Sequence, residues 1–235
     1  MPKISTVIFD MYDTLVRNTT DLWKASFNRI IEEQGLSATA EQLWEHWSLV
    51  DENFRNKRVE PDRPFRTYYS AWEEGFRSAF AALDQTGDPQ AATDRFFADL
   101  SQREPFPETA DALRQVQSSH RIAVLSNADD GFLLPNLKLL GLEFERVLSS
   151  EQARVYKPLP GLFEEMLRAL QVKPDEAVYV GDRQFEDVLG ASRVGMHPVW
   201  INRSDQPLNP QLPKPAHQIT SLTELPALLA GEFAT

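Results

Sequence analysis

Short runs of apolar, β-branched and aromatic residues recur along the chain, and polar or small residues bound each run. The clearest runs span residues 4–9, 121–125, 177–180 and 198–201, and weaker ones span 146–148 and 217–220. A run that is apolar at nearly every position is typical of a strand buried on both faces of a parallel sheet. The pattern therefore predicts four strands and two further candidates.

Segments with helical spacing separate these runs. Residues 107–118 and 160–171 each place apolar side chains at intervals of three or four, which indicates helices with one buried face. Strands that alternate with helices form right-handed βαβ units, because this connection is the one that packs the helix back onto the sheet. The core is therefore predicted to be an α/β fold with a parallel sheet.

Residues 17–100 break this alternation. The segment holds four of the five tryptophans together with many phenylalanines and tyrosines, and Pro61 and Pro64 mark its one strong interruption. Its apolar spacing is helical throughout. We predict that 17–100 form a helical domain, inserted after the first strand into a core made of residues 1–16 and 101–235.

The composition restricts the classes of function. The 235 residues carry a formal net charge of −11 and include no cysteine. An acidic surface disfavours nucleic acid, which binds by counterion release to Lys and Arg, and the lack of cysteine excludes disulfides and thiolate chemistry. No apolar stretch approaches the roughly 18 residues of a membrane span, and the N-terminal run is too short for a signal peptide. We expect a cytoplasmic monomer or homodimer that acts on a small molecule, without nucleic-acid or membrane partners.

Residues able to carry out chemistry follow the predicted strands. Asp10 ends the first strand, Ser126 and Asn127 end the second, Asp182 ends a third, and Lys157 lies in a loop before a helix. Open parallel sheets bind ligands outside the carboxyl ends of their strands. Carboxylates can hold Mg²⁺ or act as covalent nucleophiles, and lysine and hydroxyl groups can neutralise phosphoryl oxygens. These residues are therefore predicted to form one site.

The order of these segments resembles the haloacid dehalogenase-like (HAD) superfamily, from residue 7 to about residue 196. The matching motifs are FDMYDTL at 9–15, LSN at 125–127, YKP at 156–158, and VGD at 180–182 followed by Asp187 and Gly-Ala at 190–191. Each motif alone is weakly specific, but their order and spacing are specific. The resemblance implies a Rossmann-like three-layer α/β/α core and identifies the helical insert as a C1 cap.

The resemblance also implies a role for each catalytic residue. Asp10 would attack the substrate and form a covalent aspartyl intermediate. Ser126 and Lys157 would hold the phosphoryl or carboxylate oxygens of the substrate. Thr14 and Asn127 would orient the loop and the ligand.

The implied metal site is accompanied by an unusual first motif. Asp182 and Asp187 would bind Mg²⁺ together with Asp10 and the backbone carbonyl of Tyr12. The phosphatase branch has an aspartate at the position of Tyr12, which protonates the leaving group and then activates water. The L-2-haloacid dehalogenase branch has tyrosine there and needs no metal, but it lacks the acidic fourth motif. The side chain of Tyr12 is thus either a substrate contact or a packing residue.

Three hypotheses follow. The first is a Mg²⁺-dependent phosphatase for a small phosphorylated metabolite. Because Tyr12 replaces the general acid, and acid-base assistance is worth about 10²–10⁴ in rate, such an enzyme is slow or prefers acyl and aryl phosphates. The second is a metal-free L-2-haloacid dehalogenase, favoured by Tyr12 and disfavoured by Asp182 and by Phe163, which replaces the dehalogenase tyrosine six residues after the lysine. The third is a binding or regulatory module with weakened chemistry, which the intact Asp10 and Lys157 oppose.

Overall fold

Six strands coincide with the apolar runs in the computed structural model, which describes residues 3–233. They are β1 (Thr6–Phe9), β2 (Arg121–Ser126), β3 (Arg146–Ser149), β4 (Ala177–Gly181), β5 (His197–Ile201) and β6 (His217–Ile219). The strands form one sheet in the order β3-β2-β1-β4-β5-β6, and every neighbouring pair is parallel. The predicted α/β, Rossmann-like class is confirmed, and both weaker runs are strands.

The strand β1 lies at the centre of the sheet. Val7 pairs with Ile122 of β2 on one side and with Val178 of β4 on the other, and it is fully buried. From β1, the order of the strands runs in opposite directions along the sheet, towards β2 and β3 on one side and towards β4, β5 and β6 on the other. Open α/β sheets bind ligands beside such a switch point, outside the carboxyl ends of the strands. The carboxyl ends of β1, β2 and β4 therefore position the candidate site.

The α-helices of the described chain connect the strands and fill the insert. They are α1 (Thr20–Gln34), α2 (Ala40–Lys57), α3 (Tyr68–Ala82), α4 (Pro89–Leu100), α5 (Thr109–Gln117), α6 (Asp130–Leu139), α7 (Ser150–Ala153), α8 (Pro160–Leu170), α9 (Leu189–Arg193) and α10 (Leu225–Gly231). The apolar face predicted in 160–171 is the buried face of α8, and it packs against Ile8, Leu125 and Tyr179 of the sheet. No helix within residues 3–233 is long and apolar enough to cross a membrane.

The described chain divides into two compact units. The core unit contains the described parts of 1–17, 104–127 and 137–235, with the whole sheet, and the helical unit contains 18–103 and 128–136. Aromatic rings form the interior of the helical unit, where Trp23 lies 5.3 Å and Trp72 lies 5.0 Å from Phe96 between ring centroids. Edge-to-face packing of this kind stabilises aromatic pairs beyond the area they bury. It accounts for the many aromatic residues in the insert.

Residues 128–136 belong to the helical unit although they follow β2 in the sequence. The two carboxylate oxygens of Asp129 accept the N–H groups of Tyr68 and Tyr69 at 3.0 and 2.8 Å, at the start of α3. A carboxylate there satisfies N–H groups that the helix leaves unpaired and interacts favourably with the helix dipole. Phe132 also stacks on Trp72, with ring centroids 5.6 Å apart. The helical unit thus includes a second segment that the aromatic pattern of 17–100 does not predict.

Candidate active site

Asp10 comes directly after β1, at the carboxyl edge of the sheet. Its backbone N–H donates to the carbonyl of Val180 at 2.9 Å, which fixes the backbone of the residue. Its Oδ1 accepts hydrogen bonds from the hydroxyl of Ser126 at 2.9 Å and from the ammonium of Lys157 at 2.6 Å. No side chain of the described residues donates to Oδ2. One carboxylate oxygen is therefore held in place while the other is available to attack a substrate.

Lys157 is buried among three oxygens of the core. Its Nζ lies 2.6 Å from Oδ1 of Asp10, 2.6 Å from Oδ1 of Asp187 and 2.9 Å from the hydroxyl of Tyr179. Burial lowers the pKa of Lys157, but the charges of Asp10 and Asp187 outweigh burial and raise this pKa well above its usual value. An ammonium has three N–H donors, and all three have protein acceptors here. Lys157 thus holds the carboxylate of Asp10 in place, and its predicted contact with substrate oxygens stays a prediction.

Tyr179 is a member of the site that the sequence reasoning missed. It is fully buried in β4, where its hydroxyl donates to the carbonyl of Leu125 at 2.8 Å and accepts from Lys157. Burial and the neighbouring carboxylates, chiefly Asp187, raise the pKa of Tyr179 well above its usual value, against the effect of Lys157. The signal in the sequence is a tyrosine inside an otherwise apolar strand, because a buried hydroxyl usually has a partner.

Asp187 reaches the site through a π-helical turn, Gln184–Val188. Its Oδ2 accepts the N–H of Arg183 at 2.8 Å, and its Oδ1 accepts from Lys157. Gly181 makes room for this carboxylate, since a Cβ at that position would lie 2.3 Å from Cγ of Asp187. Burial raises the pKa of Asp187 to about 6, although Lys157 lowers it. Single π-turns inside helices are frequent at functional sites, and this one sets the position of an acidic group.

Three carboxylates lie close together at this edge of the sheet. One oxygen from each of Asp10, Asp182 and Asp187 lies within 4.8 Å of the others. The carboxylate of Asp182 accepts no hydrogen bond from any described residue, while its backbone carbonyl accepts the indole N–H of Trp200 at 2.8 Å. Burial and the charges of Asp187 and Asp10 raise the pKa of Asp182 well above its usual value. Oxygen donors arranged in this way suit a hard divalent cation such as Mg²⁺.

The loop after Asp10 folds into a tight turn. The N–H groups of Leu15 and Val16 both donate to the carbonyl of Met11, at 2.8 and 3.1 Å. Thr14 is fully buried, and its hydroxyl has no hydrogen-bond partner among the described atoms. Tyr12 is half-buried and forms a bridge with Val16. The structure therefore places both predicted residues in the loop that follows Asp10, and their contacts with a substrate stay predictions.

Asn127 holds the loop that carries Lys157. Its Oδ1 accepts the N–H of Lys157 at 2.8 Å, and its Nδ2 donates to the carbonyl of the same residue at 3.2 Å. Both polar ends of the amide are thereby engaged by one residue, whose peptide bond to Pro158 is cis. Asn127 orients Lys157, and the substrate contact predicted for Asn127 stays a prediction.

Comparison with known proteins identifies the family. The sequence profile of the haloacid dehalogenase-like hydrolases matches residues 4–195. The chain belongs to this family. The resemblance read from the four motifs is thereby confirmed, and the protein is a hydrolase.

This HAD-like hydrolase is similar to proteins of two different activities. It is 28% identical to (S)-2-haloacid dehalogenase 4A of Burkholderia cepacia over 95% of this chain and 94% of the relative. It is 32% identical to phosphoserine phosphatase of Thermus thermophilus over 60% of this chain and 61% of the relative. A crystal structure of a dehalogenase superposes with a TM-score of 0.77 at 26% identity, covering 98% of this chain and 99% of the other. Both dehalogenases and phosphatases are thus among its relatives.

Proposed function

We propose that this hydrolase is a Mg²⁺-dependent phosphatase for a small phosphorylated metabolite, with Asp10 as its covalent nucleophile. The observation that carries the proposal is the cluster of Asp10, Asp182 and Asp187. Their carboxylates, with the backbone carbonyl of Tyr12, would hold the cation. The cation would neutralise negative charge shared by the nucleophile and the phosphoryl group.

Electrostatics favour this assignment over a metal-free reaction. Two carboxylates within 4.8 Å repel each other by about 3 kcal/mol or more at an effective dielectric constant of about 20. The ammonium of Lys157 contacts Asp10 and Asp187, and the structure shows no such contact to Asp182. An anionic substrate adds further negative charge to the same place. A divalent cation compensates for this charge, and a halide-displacing site has no need of Asp182.

The chain's own residues support nucleophilic attack by Asp10. Ser126 and Lys157 hold Oδ1, which leaves Oδ2 to form the bond to phosphorus while the bond from phosphorus to the ester oxygen breaks. Water then hydrolyses the aspartyl phosphate, which releases inorganic phosphate and restores the carboxylate. The leaving oxygen takes its proton from solvent, because Tyr12 stands where the phosphatase branch has an acid. Esters with good leaving groups, such as aryl and acyl phosphates, are therefore the preferred substrates.

The test is hydrolysis of an aryl phosphate with and without Mg²⁺, for the wild type and three variants. We expect Mg²⁺-dependent turnover in the wild type, loss of turnover in Asp10→Asn, and loss of the Mg²⁺ response in Asp182→Asn. Asp205→Asn is the matched control, because it makes the same chemical change at an exposed position and asparagine tolerates the φ of 52° there. Mg²⁺-dependent turnover that survives in Asp182→Asn would overturn the proposed metal site.

The second candidate function is hydrolysis of 2-haloacids. It is favoured by Tyr12 and by the similarity of nearly the whole chain to (S)-2-haloacid dehalogenase 4A. Halide release from 2-chloropropionate in the presence of a chelator distinguishes it from the phosphatase. A lack of Asp10-dependent turnover with both substrates would instead support a binding or regulatory module.

A further inference from the structure

Arg203 lies just after β5, and its guanidinium is engaged on several sides. Its Nη1 donates to Oε1 of Glu108 at 2.6 Å, and its Nη2 donates to the backbone carbonyl of Thr14 at 2.9 Å. Its Cζ lies 3.6 Å above the centre of the Phe106 ring, and 18% of the side chain is exposed. A planar guanidinium that is stacked, ion-paired and hydrogen-bonded at once has one well-defined orientation. The bond to Thr14 is therefore a fixed restraint on the nucleophile loop.

The restrained peptide group leads directly to the nucleophile. The Thr14–Leu15 peptide accepts from Arg203 through its C=O, and its N–H donates to the carbonyl of Met11 at 2.8 Å. Because a peptide group is planar, the direction of its C=O fixes the direction of its N–H. Met11 is bonded to Asp10. The restraint thus passes from Arg203 through one peptide plane and one hydrogen bond to the residue next to the nucleophile.

The end of β5 also holds the loop that carries Asp182. Trp200, the fourth residue of β5, donates its indole N–H to the backbone carbonyl of Asp182 at 2.8 Å. The end of β5 and the turn after it therefore supply side-chain donors to the backbone of both loops that bear carboxylates of the site. Of these two residues, Arg203 contacts more of the core, because it also links the Asp10 loop to Glu108 and Phe106.

We propose that Arg203 is a positioning residue of the active site, which sets the orientation of the Asp10 loop through the carbonyl of Thr14. The proposal rests on the proposed function in one respect, that Asp10 attacks the substrate. The hydrogen bonds of Arg203 go to protein atoms, so its loss alters the geometry of the nucleophile rather than substrate binding. A displacement of about 1 Å in a catalytic group costs about 10²-fold in rate. We expect Arg203→Met to lower kcat by about 10- to 100-fold and to change KM by less than about threefold.

The experiment compares Arg203→Met and Arg203→Lys with Arg17→Met. Arg17 is the matched control, because its guanidinium also lies over the Phe106 ring, at 5.8 Å, while its side chain is exposed. Steady-state kinetics with an aryl phosphate and Mg²⁺ give kcat and KM for each folded variant. Lysine keeps the charge and a single donor nitrogen but not the planar fork of arginine, so Arg203→Lys is expected to recover part of the lost kcat. Exchange of the Leu15 amide hydrogen with deuterium is measured in parallel, and it is expected to be faster in Arg203→Met than in the wild type.

The outcomes separate this inference from the proposed function. A folded Arg203→Met with the kcat of the wild type, or an equal loss in Arg17→Met, overturns the positioning role. A rise in KM at constant kcat overturns it as well, because that result indicates a substrate contact. If Arg203→Met does not fold, a lowered kcat in Arg203→Lys supports the proposal and an unchanged kcat overturns it. If the wild type turns over neither an aryl phosphate nor a 2-haloacid, the proposed function fails, and the exchange rate of the Leu15 amide alone decides the inference.

Discussion

Replacing Lys157 with methionine tests the electrostatic arrangement of the core most directly. Methionine fills a similar volume but removes the ammonium that lies 2.6 Å from Oδ1 of both Asp10 and Asp187. The side chains of Lys157 and Asp187 are each 1% exposed, so bulk water does not solvate either charge. Two carboxylates would then remain buried beside each other without their cation.

The expected loss of stability is large. Removing one partner of a buried ion pair costs about 3–5 kcal/mol, because the other charge is left uncompensated. For a protein of this length 1 kcal/mol corresponds to about 2–4 °C in Tm, so Lys157→Met is expected to lower the Tm of the core by about 6–20 °C. Protonation relieves part of this cost. The pKa of Asp187 is already raised to about 6 with Lys157 present, so the deficit should be smaller at pH 5 than at pH 8.

Calorimetry of the metal-free protein at both pH values measures the effect. Lys173→Met is the matched control, because it makes the same chemical change at an exposed position of the core unit. Its Tm should stay within about 2 °C of the wild-type value, since surface substitutions usually change stability by less than about 0.5 kcal/mol. A Lys157→Met protein as stable as the control, or a deficit that is the same at pH 5 and pH 8, would refute the reasoning.

Three further predictions concern the acidic cluster and the first motif. Tyr12→Asp is expected to raise kcat for an alkyl phosphate by about 10²-fold, because it supplies the missing acid, and an equal gain for an aryl phosphate would contradict that explanation. Gly181→Ala is expected to destabilise the protein by about 1–3 kcal/mol in urea unfolding, since the added Cβ would lie 2.3 Å from Cγ of Asp187. Gly161→Ala is the control and should not destabilise the protein, because the nearest atom to its added Cβ lies 3.8 Å away. The pKa of Asp187 is raised to about 6, and the pKa of Asp182 is also raised, so protons compete with Mg²⁺ for these carboxylates below about pH 6. The affinity of the protein for Mg²⁺, measured by titration calorimetry, should therefore fall as the pH falls through that value. An affinity that stays constant from pH 8 to pH 5 would argue against this site.

The sequence contains the information for the strands and for the convergence of the acidic residues. The run before Asp10 forms the central strand β1, whose residues are buried, and a strand covered on both faces favours apolar residues at nearly every position. Parallel strands present their carboxyl ends at one edge, so Asp10, Ser126 and Asp182 could be placed together from their positions in the chain. Both predictions rest on local pattern and on a general property of parallel sheets.

Other parts of the site depend on tertiary contacts that no local pattern encodes. The spacing from Asp182 to Asp187 is compatible with an α-helical or a π-helical turn, and the choice follows from the contacts of Asp187 with Lys157 and with the N–H of Arg183. The hydroxyl of Tyr179 has a role only because two other elements bring an acceptor and a donor to it. The same holds for Asn127, whose amide is engaged by the backbone of a residue 30 positions away.

We expect the two contrasting motifs of this chain to act on different parts of the proposed reaction. The carboxylate cluster is set by the ends of β1 and β4 and by the π-turn, which bring Asp10, Asp182 and Asp187 together, and the side chain of residue 12 is not a member of the cluster. In the proposed reaction, the side chain of residue 12 would act only where a proton is transferred, when the leaving group departs and when water is activated. A tyrosine there is therefore expected to leave the affinity for the cation unchanged and to slow proton transfer. Under the proposed function, the first motif would determine which leaving groups are tolerated and the fourth would determine whether a metal is needed, so a dehalogenase-like first motif is compatible with the proposed metal-dependent phosphatase.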